Sequence, residues 1–96
     1  MGRSARPRPK QLAKKLLQIR LSLGLSQDEM LAQLGLAEDR FRSAVSGYEL
    51  GTREPPLPVL LTYAKLAGVW VDMLIDDGLK LPERLPTDQR KQRQGR

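Results

Sequence analysis

The side chains that could do chemistry in this chain are hydrogen-bond donors and cations, not reactive groups. The 96 residues include no Cys and no His, which removes thiol nucleophiles, disulfides, imidazole bases and the usual zinc ligands together. No pair of the remaining polar groups is spaced for acid-base or nucleophilic work. We therefore expect a binding protein and not an enzyme, with no metal, no other cofactor and no small-molecule substrate.

Positive charge is concentrated at the two ends of the chain. The formal net charge is +6, but a basic balance alone is a weak sign of nucleic-acid binding. Residues 1–20 carry seven Lys or Arg and no acid, residues 21–80 carry five basic and nine acidic side chains, and residues 81–96 carry five basic and two acidic ones. The body is mildly acidic, so any attraction to phosphate must come from the ends or from a few placed residues.

The sequence divides into an arm, one domain and a tail. Residues 1–10 interleave cations with two prolines and cannot form a core element, so they are predicted to be a flexible basic arm that is either solvated or in contact with DNA. The arm's cations are Arg3, Arg6, Arg8 and Lys10. Residues 11–78 have helical periodicity and suffice for one domain. Residues 79–96 lose that periodicity and are predicted to be a polar basic tail.

No targeting or membrane segment is expected. The basic arm is followed by a charged amphipathic stretch, residues 11–23, and not by the unbroken apolar run of a signal peptide. No span of about 20 apolar residues is present for a membrane helix. We expect a soluble cytoplasmic protein without a membrane partner.

Periodicity predicts an all-α domain with five helices and no strand pair. The first helix has an apolar face at Leu12, Leu16, Ile19 and Leu23 and ends near Gly24. The second begins at Ser26, whose spacing from Glu29 is that of a capping box, and stops at Gly35. The fourth spans Leu57 to Gly68 after a proline-rich connection, and a short fifth spans Val69–Ile75.

The third helical pattern has two different faces. Phe41, Val45 and Tyr48 share one face, whereas small and polar side chains occupy the other. That polar face consists of Arg42, Ser43, Ser46 and Gly47. Two short helices joined by a glycine-containing turn, the second exposing small polar groups, form the arrangement that enters the DNA major groove. Helix pairs of this shape also occur in proteins that bind no DNA, so geometry alone leaves both readings open.

Three stretches resemble the DNA-binding domain of the phage repressor and Cro family of helix-turn-helix proteins. They are Leu25–Glu29, Leu34–Leu36 and Val45–Pro55. The resemblance covers about residues 11–77 and is specific as an ordered set, although each stretch is weak alone. It implies a five-helix, lambda-repressor-like fold for this range, and the basic arms at both ends lie outside it.

The resemblance also implies roles for individual residues. Gln27, at the start of the second helix, would lie near a backbone phosphate, where free N–H groups favour an anion. Arg42 and Ser43 would face base edges early in the third helix, with Ser46 and Gly47 one turn further on. An Arg in that place can form the bidentate contact to guanine that is the commonest specific readout.

Other matched positions would hold the protein in register. Thr52 and Arg53, after the third helix, match positions that touch the phosphate backbone in such proteins, and such contacts carry no sequence information. Arg20 and Glu49 match a pair that bridges the first helix to the end of the third. The alternative is two exposed charges, since a surface pair contributes only about 0 to 1 kcal/mol.

The chain departs from the family pattern before the third helix. The interval from Gly35 to Val45 is about four residues longer than usual, and we include Arg40, within it, among the candidate DNA contacts. Either the turn is longer and looser, or the third helix begins near Glu38, since four residues are close to one turn of about 3.6. If this segment entered the groove, Glu38 and Asp39 would meet phosphates. We therefore expect either that these carboxylates lie outside the groove or that DNA binding is weakened.

Gly47 is a second departure, because a side chain there commonly helps to read bases. Glycine also costs roughly 1 kcal/mol in a helix interior relative to alanine, and a close approach to DNA or to another helix would each explain it. Phe41, Val45, Tyr48 and Trp70 are interpreted as core or subunit contacts and not as platforms for bases.

Two functions compete at this point. The first is a sequence-specific transcriptional regulator of the repressor type, a homodimer on double-stranded DNA with half-sites about 10 to 10.5 base pairs apart. The second is a protein-interaction module on the same fold, with weak or non-specific DNA binding. The acidic body, the longer turn and Gly47 favour the second; the family match, Arg42 and the basic ends favour the first.

Overall fold

The computed structural model describes residues 7–89, and the regular structure within that range is entirely helical. Five α-helices follow one another along the chain: α1 (Leu12–Leu23), α2 (Gln27–Gln33), α3 (Ala44–Leu50), α4 (Leu57–Ala67) and α5 (Asp72–Ile75). A single 3-10 turn, Asp39–Phe41, precedes α3. The predicted all-α class and the number of helices are confirmed. Residues 1–6 and 90–96, with the outer cations of the arm and tail, lie outside the described residues.

Local capping defines where the first two helices end and begin. Gly24 closes α1 in the left-handed region, with φ of 71°, where a side chain would be strained. The Ser26 Oγ then accepts a hydrogen bond from the Glu29 N–H at 3.0 Å, and the Glu29 carboxylate accepts one from the Ser26 N–H at 2.8 Å. The capping box predicted from the sequence is therefore present, and it fixes the first turn of α2.

The core forms around α1, which contacts α3, α4 and α5, while α2 packs on α3. Side chains from each of these helices are completely buried. They include Leu16, Ile19, Met30, Val45, Tyr63 and Leu74. Because α3 is held on its inner side by α1 and α2, its remaining surface is fixed in orientation.

Two polar contacts join the start of α1 to the end of α5. The Asp77 carboxylate accepts hydrogen bonds from the N–H groups of Lys10 at 2.9 Å and Gln11 at 3.0 Å. Lys15, only 6% exposed, donates from Nζ to the carbonyls of Met73 at 2.9 Å and Asp76 at 3.0 Å. Asp77 thus supplies the cap that the Gln11 side chain does not form, and Lys15 satisfies carbonyls at the end of α5.

Residues 79–89 pack on the helices, which corrects the prediction that the chain beyond residue 78 is a tail. Leu85 is 2% exposed and Leu81 is 9% exposed, both within the core. The Thr87 hydroxyl donates to the Leu66 carbonyl at 2.6 Å, and the Gln89 N–H donates to the Ser22 carbonyl at 2.9 Å. The prediction was wrong for this segment because an irregular chain can bury leucines without any helical period.

Candidate nucleic-acid interface

A buried ion pair joins α1 to the end of α3. Arg20 Nε lies 2.7 Å from one Glu49 carboxylate oxygen, and Arg20 Nη2 lies 3.0 Å from the other. The side chains are 13% and 6% exposed. The bridge expected between Arg20 and Glu49 is therefore present, and the alternative of two exposed charges is wrong. The hydrogen bond that Arg20 donates to Glu49 raises the pKa of Arg20 above its ordinary value, with desolvation opposing it.

The same carboxylate holds the start of α2. Gln27, the first residue of α2, is exposed and donates from Nε2 to Glu49 Oε1 at 3.1 Å. Arg20 Nη1 also donates to the Leu25 carbonyl, just before α2, at 3.0 Å. One buried carboxylate thus fixes the start of α2 relative to the end of α3, and the Gln27 amide is held at the surface.

The extra residues before α3 form a 3-10 turn. The Phe41 N–H donates to the Glu38 carbonyl at 2.9 Å, and the Arg42 N–H donates to the Asp39 carbonyl at 3.0 Å. Because α3 begins only at Ala44, the expectation that Arg42 and Ser43 lie early in the third helix is wrong. The explanation by a longer turn holds, and a helix starting near Glu38 is excluded.

Arg40 and Arg42 both meet acidic groups of their own turn. Arg40 Nε lies 2.9 Å from Glu38 Oε1, and its guanidinium carbon lies 4.6 Å from the centre of the Phe41 ring. Arg42 Nη1 lies 4.0 Å from Asp39 Oδ1, with both side chains largely exposed. Pairs of this kind contribute only about 0 to 1 kcal/mol, so a phosphate or a base edge can replace the carboxylate.

Arg42 also lies near α2. Together with Asp28, from the first turn of α2, and Asp39 it lines a shallow depression. Ser43 is exposed, and it is the residue that precedes α3 without capping it through its side chain. The shared depression places the polar residues before α3 next to the start of α2.

Gly47 does not face outward from α3. It is buried beneath Arg53, and a Cβ atom added to Gly47 would lie 2.9 Å from Arg53 Cδ and 3.0 Å from Arg53 Cγ. The expectation that Gly47 faces base edges is therefore wrong. The close approach at Gly47 is to an arginine side chain of the same chain and not to another helix. Ser46 remains partly exposed on α3.

The loop after α3 folds back on the Gly47 carbonyl. That oxygen accepts from the N–H groups of Thr52 at 3.0 Å and Arg53 at 3.2 Å, and from the Thr52 hydroxyl at 3.3 Å. The reversal depends on Gly51, whose φ is 80°. Thr52 and Arg53 are both exposed on a loop whose backbone is held by hydrogen bonds.

The four aromatic or apolar positions divide between core and surface. Val45 is completely buried, Tyr48 is 6% exposed, and Phe41 packs against the core from the 3-10 turn. Trp70 is 82% exposed, so it is not a core residue, and its role as a subunit contact stays a prediction. Nothing in the sequence distinguishes Trp70 from the other three, because all follow apolar helical patterns.

The fold creates one grouping of residues that the sequence does not indicate. Arg8, near the beginning of the described chain, shares an open cleft with Tyr48 and Arg53. Burial raises the pKa of the Tyr48 hydroxyl, with the Arg53 charge opposing it. No sequence signal finds this grouping, because Arg8 lies far along the chain from α3.

No family model matches the chain, and no curated protein or solved structure is similar to it. Within residues 7–89, no group of three or more His, Cys, Asp or Glu side chains could hold a metal ion. No helix in that range has the length and apolar character needed to cross a membrane.

Proposed function

We propose that this chain is a lambda-repressor-like helix-turn-helix protein, a cytoplasmic, sequence-specific regulator of the repressor type that binds double-stranded DNA. The observation that carries the proposal is the Glu49 carboxylate, which holds Arg20 of α1 and Gln27 of α2 at the same time. A helix pair that must enter a groove needs a fixed mutual orientation, and a buried bidentate pair supplies it.

The exposed polar groups around α3 divide into two roles. Arg42, Ser43 and Ser46 are donors placed just before and on α3, and we assign base recognition to them. Gln27, Thr52 and Arg53 flank α3 on structured backbone, and we assign contacts with phosphates to them. Arg40 belongs with the second group, because its exposed ion pair with Glu38 can be exchanged for a phosphate.

Exposed apolar side chains support assembly as a homodimer. Trp70 is 82% exposed and Leu57 is 78% exposed, values at which neither residue stabilises the monomer core. Covering such groups with a second copy would recover hydrophobic free energy. In a two-fold dimer of this type, the two α3 helices would meet half-sites about 10 to 10.5 base pairs apart.

An NMR titration of the full chain with a mixed-sequence duplex at low salt tests the placement of the interface. Backbone amide signals of Gln27, Ser43, Ser46, Thr52 and Arg53 are expected to shift together. Low salt is chosen because phosphate contacts weaken steeply as salt increases. Shifts confined to α4 and α5, or no shifts at all, would contradict the proposed interface.

A protein-interaction module on the same fold is the second candidate. It is favoured by the carboxylates of Glu38 and Asp39, which lie against Arg40 and Arg42 at the front of the candidate interface. Under this function the NMR shifts caused by DNA would vanish near physiological salt for every duplex sequence. A sequence-specific regulator would still show the shifts at that salt with a duplex that contains its own binding site.

A further inference from the structure

A cleft lies between the N-terminal segment and the end of α3. It has a volume of about 260 Å³ and is open to solvent. Its lining residues come from both segments: Arg8, Pro9, Lys10, Leu12, Ala13, Tyr48, Gly51, Arg53 and Glu54. Three cations and one carboxylate line it, so its net charge favours an anion.

Tyr48 gives the cleft a hydroxyl donor. The residue is only 6% exposed, yet it lines the cleft, and no hydrogen bond occupies its hydroxyl within residues 7–89. Burial raises the pKa of that hydroxyl, so it stays protonated at neutral pH and can donate. The hydroxyl is not enclosed by the protein, so a ligand in the cleft can accept a hydrogen bond from it.

The cations of the cleft are held in place. The stem of Arg53 lies over Gly47 so closely that a Cβ there would be 2.9 Å from Arg53 Cδ. Arg8 lies between Pro7 and Pro9, whose rings restrict the backbone. Two residues after it, the Lys10 N–H donates to the Asp77 carboxylate at 2.9 Å. The backbone near Arg8 is thus anchored to the end of α5.

We propose that this cleft binds one phosphate of the DNA backbone between Arg8 and Arg53, with the Tyr48 hydroxyl donating to a phosphate oxygen. The inference rests on the proposed function and extends it. The interface then includes the root of the N-terminal arm as well as the helix-turn-helix. Arginine suits this role because its planar fork matches two phosphate oxygens.

The salt dependence of DNA affinity tests the proposal with four variants of the full chain. Arg8→Gln and Arg53→Gln are each expected to lower affinity about 3- to 10-fold and to reduce the slope of log K against log salt by about 0.9. Tyr48→Phe is expected to lower affinity without changing the slope, because it removes no charge. Arg84→Gln, which removes an exposed arginine outside the cleft, is the matched control. It changes the net charge by the same amount and is expected to affect DNA affinity less than the first two variants.

Two results would overturn the proposal while leaving DNA binding intact. One is an Arg8→Gln variant that matches Arg84→Gln in both affinity and slope. The other is a Tyr48→Phe variant with wild-type affinity. Since the Tyr48 hydroxyl forms no hydrogen bond within residues 7–89, this variant should keep the wild-type Tm, which separates lost binding from lost folding.

A titration with inorganic phosphate separates failure of the cleft from failure of the proposed function. Saturable amide shifts at Tyr48 and Arg53 that are lost in Arg8→Gln support an anion site, whether or not the chain binds duplex DNA. Those shifts in a chain that binds no duplex would overturn DNA as the source of the phosphate. An unchanged spectrum in a chain that also binds no duplex would overturn both proposals.

Discussion

Gly47 and Arg53 are in direct contact across the reversal that ends α3. A Cβ atom at Gly47 would lie 2.9 Å from Arg53 Cδ, and the Gly47 carbonyl accepts a hydrogen bond from the Arg53 N–H at 3.2 Å. The absence of a side chain at Gly47 thus lets the aliphatic stem of Arg53 lie against α3. Glycine here serves the residue proposed to bind phosphate, although glycine in a helix is unfavourable for stability.

Gly47→Ala is expected to separate stability from DNA binding. Alanine gains helix propensity while Arg53, an exposed side chain, must move aside, so the free energy of unfolding should stay within about 1 kcal/mol of the wild type. DNA affinity should fall several-fold on every sequence, because the displaced guanidinium no longer meets its phosphate. Urea unfolding and fluorescence anisotropy check the two effects. Wild-type affinity in Gly47→Ala would show that the contact has no part in binding.

Glu49→Ala should be strongly destabilising. It leaves Arg20, 13% exposed, without its bidentate partner, and the expected loss is about 2 to 4 kcal/mol. Arg20→Ala should cost a similar amount, and the double variant should lose less than the two single losses together. Urea unfolding of the three variants measures this coupling.

Glu38→Ala is the matched control for that cycle. It removes a carboxylate from an ion pair whose side chains are 72% and 68% exposed, and the expected cost is below about 0.5 kcal/mol. Equal losses for Glu38→Ala and Glu49→Ala would contradict the claim that burial distinguishes the two pairs.

Asp77→Asn should remove an acid-dependent part of the stability. Hydrogen bonds from the N–H of Lys10, and then of Gln11, lower the pKa of the Asp77 carboxyl. A depressed pKa in the folded state stabilises the fold above the unfolded-state pKa, about 3.9, and this stabilisation is lost as pH falls through the folded-state pKa. The Tm difference between wild type and Asp77→Asn should be present at pH 7 and vanish at low pH. A difference that does not depend on pH would contradict the role of the charge.

Glu38→Gln should raise DNA affinity. It releases Arg40 from the pair at 2.9 Å and removes a negative charge from the turn before α3. We expect a gain of about 3- to 10-fold at low salt that shrinks as salt increases, because exposed charges are screened. Asp72→Asn, the same change of charge on α5, controls for net charge. An equal gain in the two variants would show that Arg40 and its turn lie outside the interface.

Local signals predicted the helices well. The glycine at 24 and the spacing of Ser26 from Glu29 define helix ends by short-range chemistry, and both are used in the fold as expected. The ion pair of Arg20 with Glu49 was predicted from the family resemblance and is present. These features depend on few residues, so a sequence pattern can carry them.

Contacts between distant segments were not predictable. The Asp77 carboxylate caps α1 from 66 residues further along the chain, and no local pattern indicates such a partner. Leu85 enters the core from an irregular segment, where periodicity has nothing to detect. The contact of Gly47 with Arg53 depends on how tightly the chain reverses after α3. The predicted helix start before Arg42 was wrong for a related reason, because a 3-10 turn and an α-helical turn use similar residues.

Selection from a pool of random duplex DNA at physiological salt, with wild type and Arg42→Ala in parallel, measures sequence-specific binding and the part of Arg42 in it. The wild type is expected to enrich a two-fold symmetric motif with half-sites about 10 base pairs apart. In Arg42→Ala the preference for one base at one position of each half-site should fall by about 1 to 3 kcal/mol. A wild-type chain that enriches no motif, or the same motif and base preferences in both proteins, would contradict sequence-specific binding through Arg42.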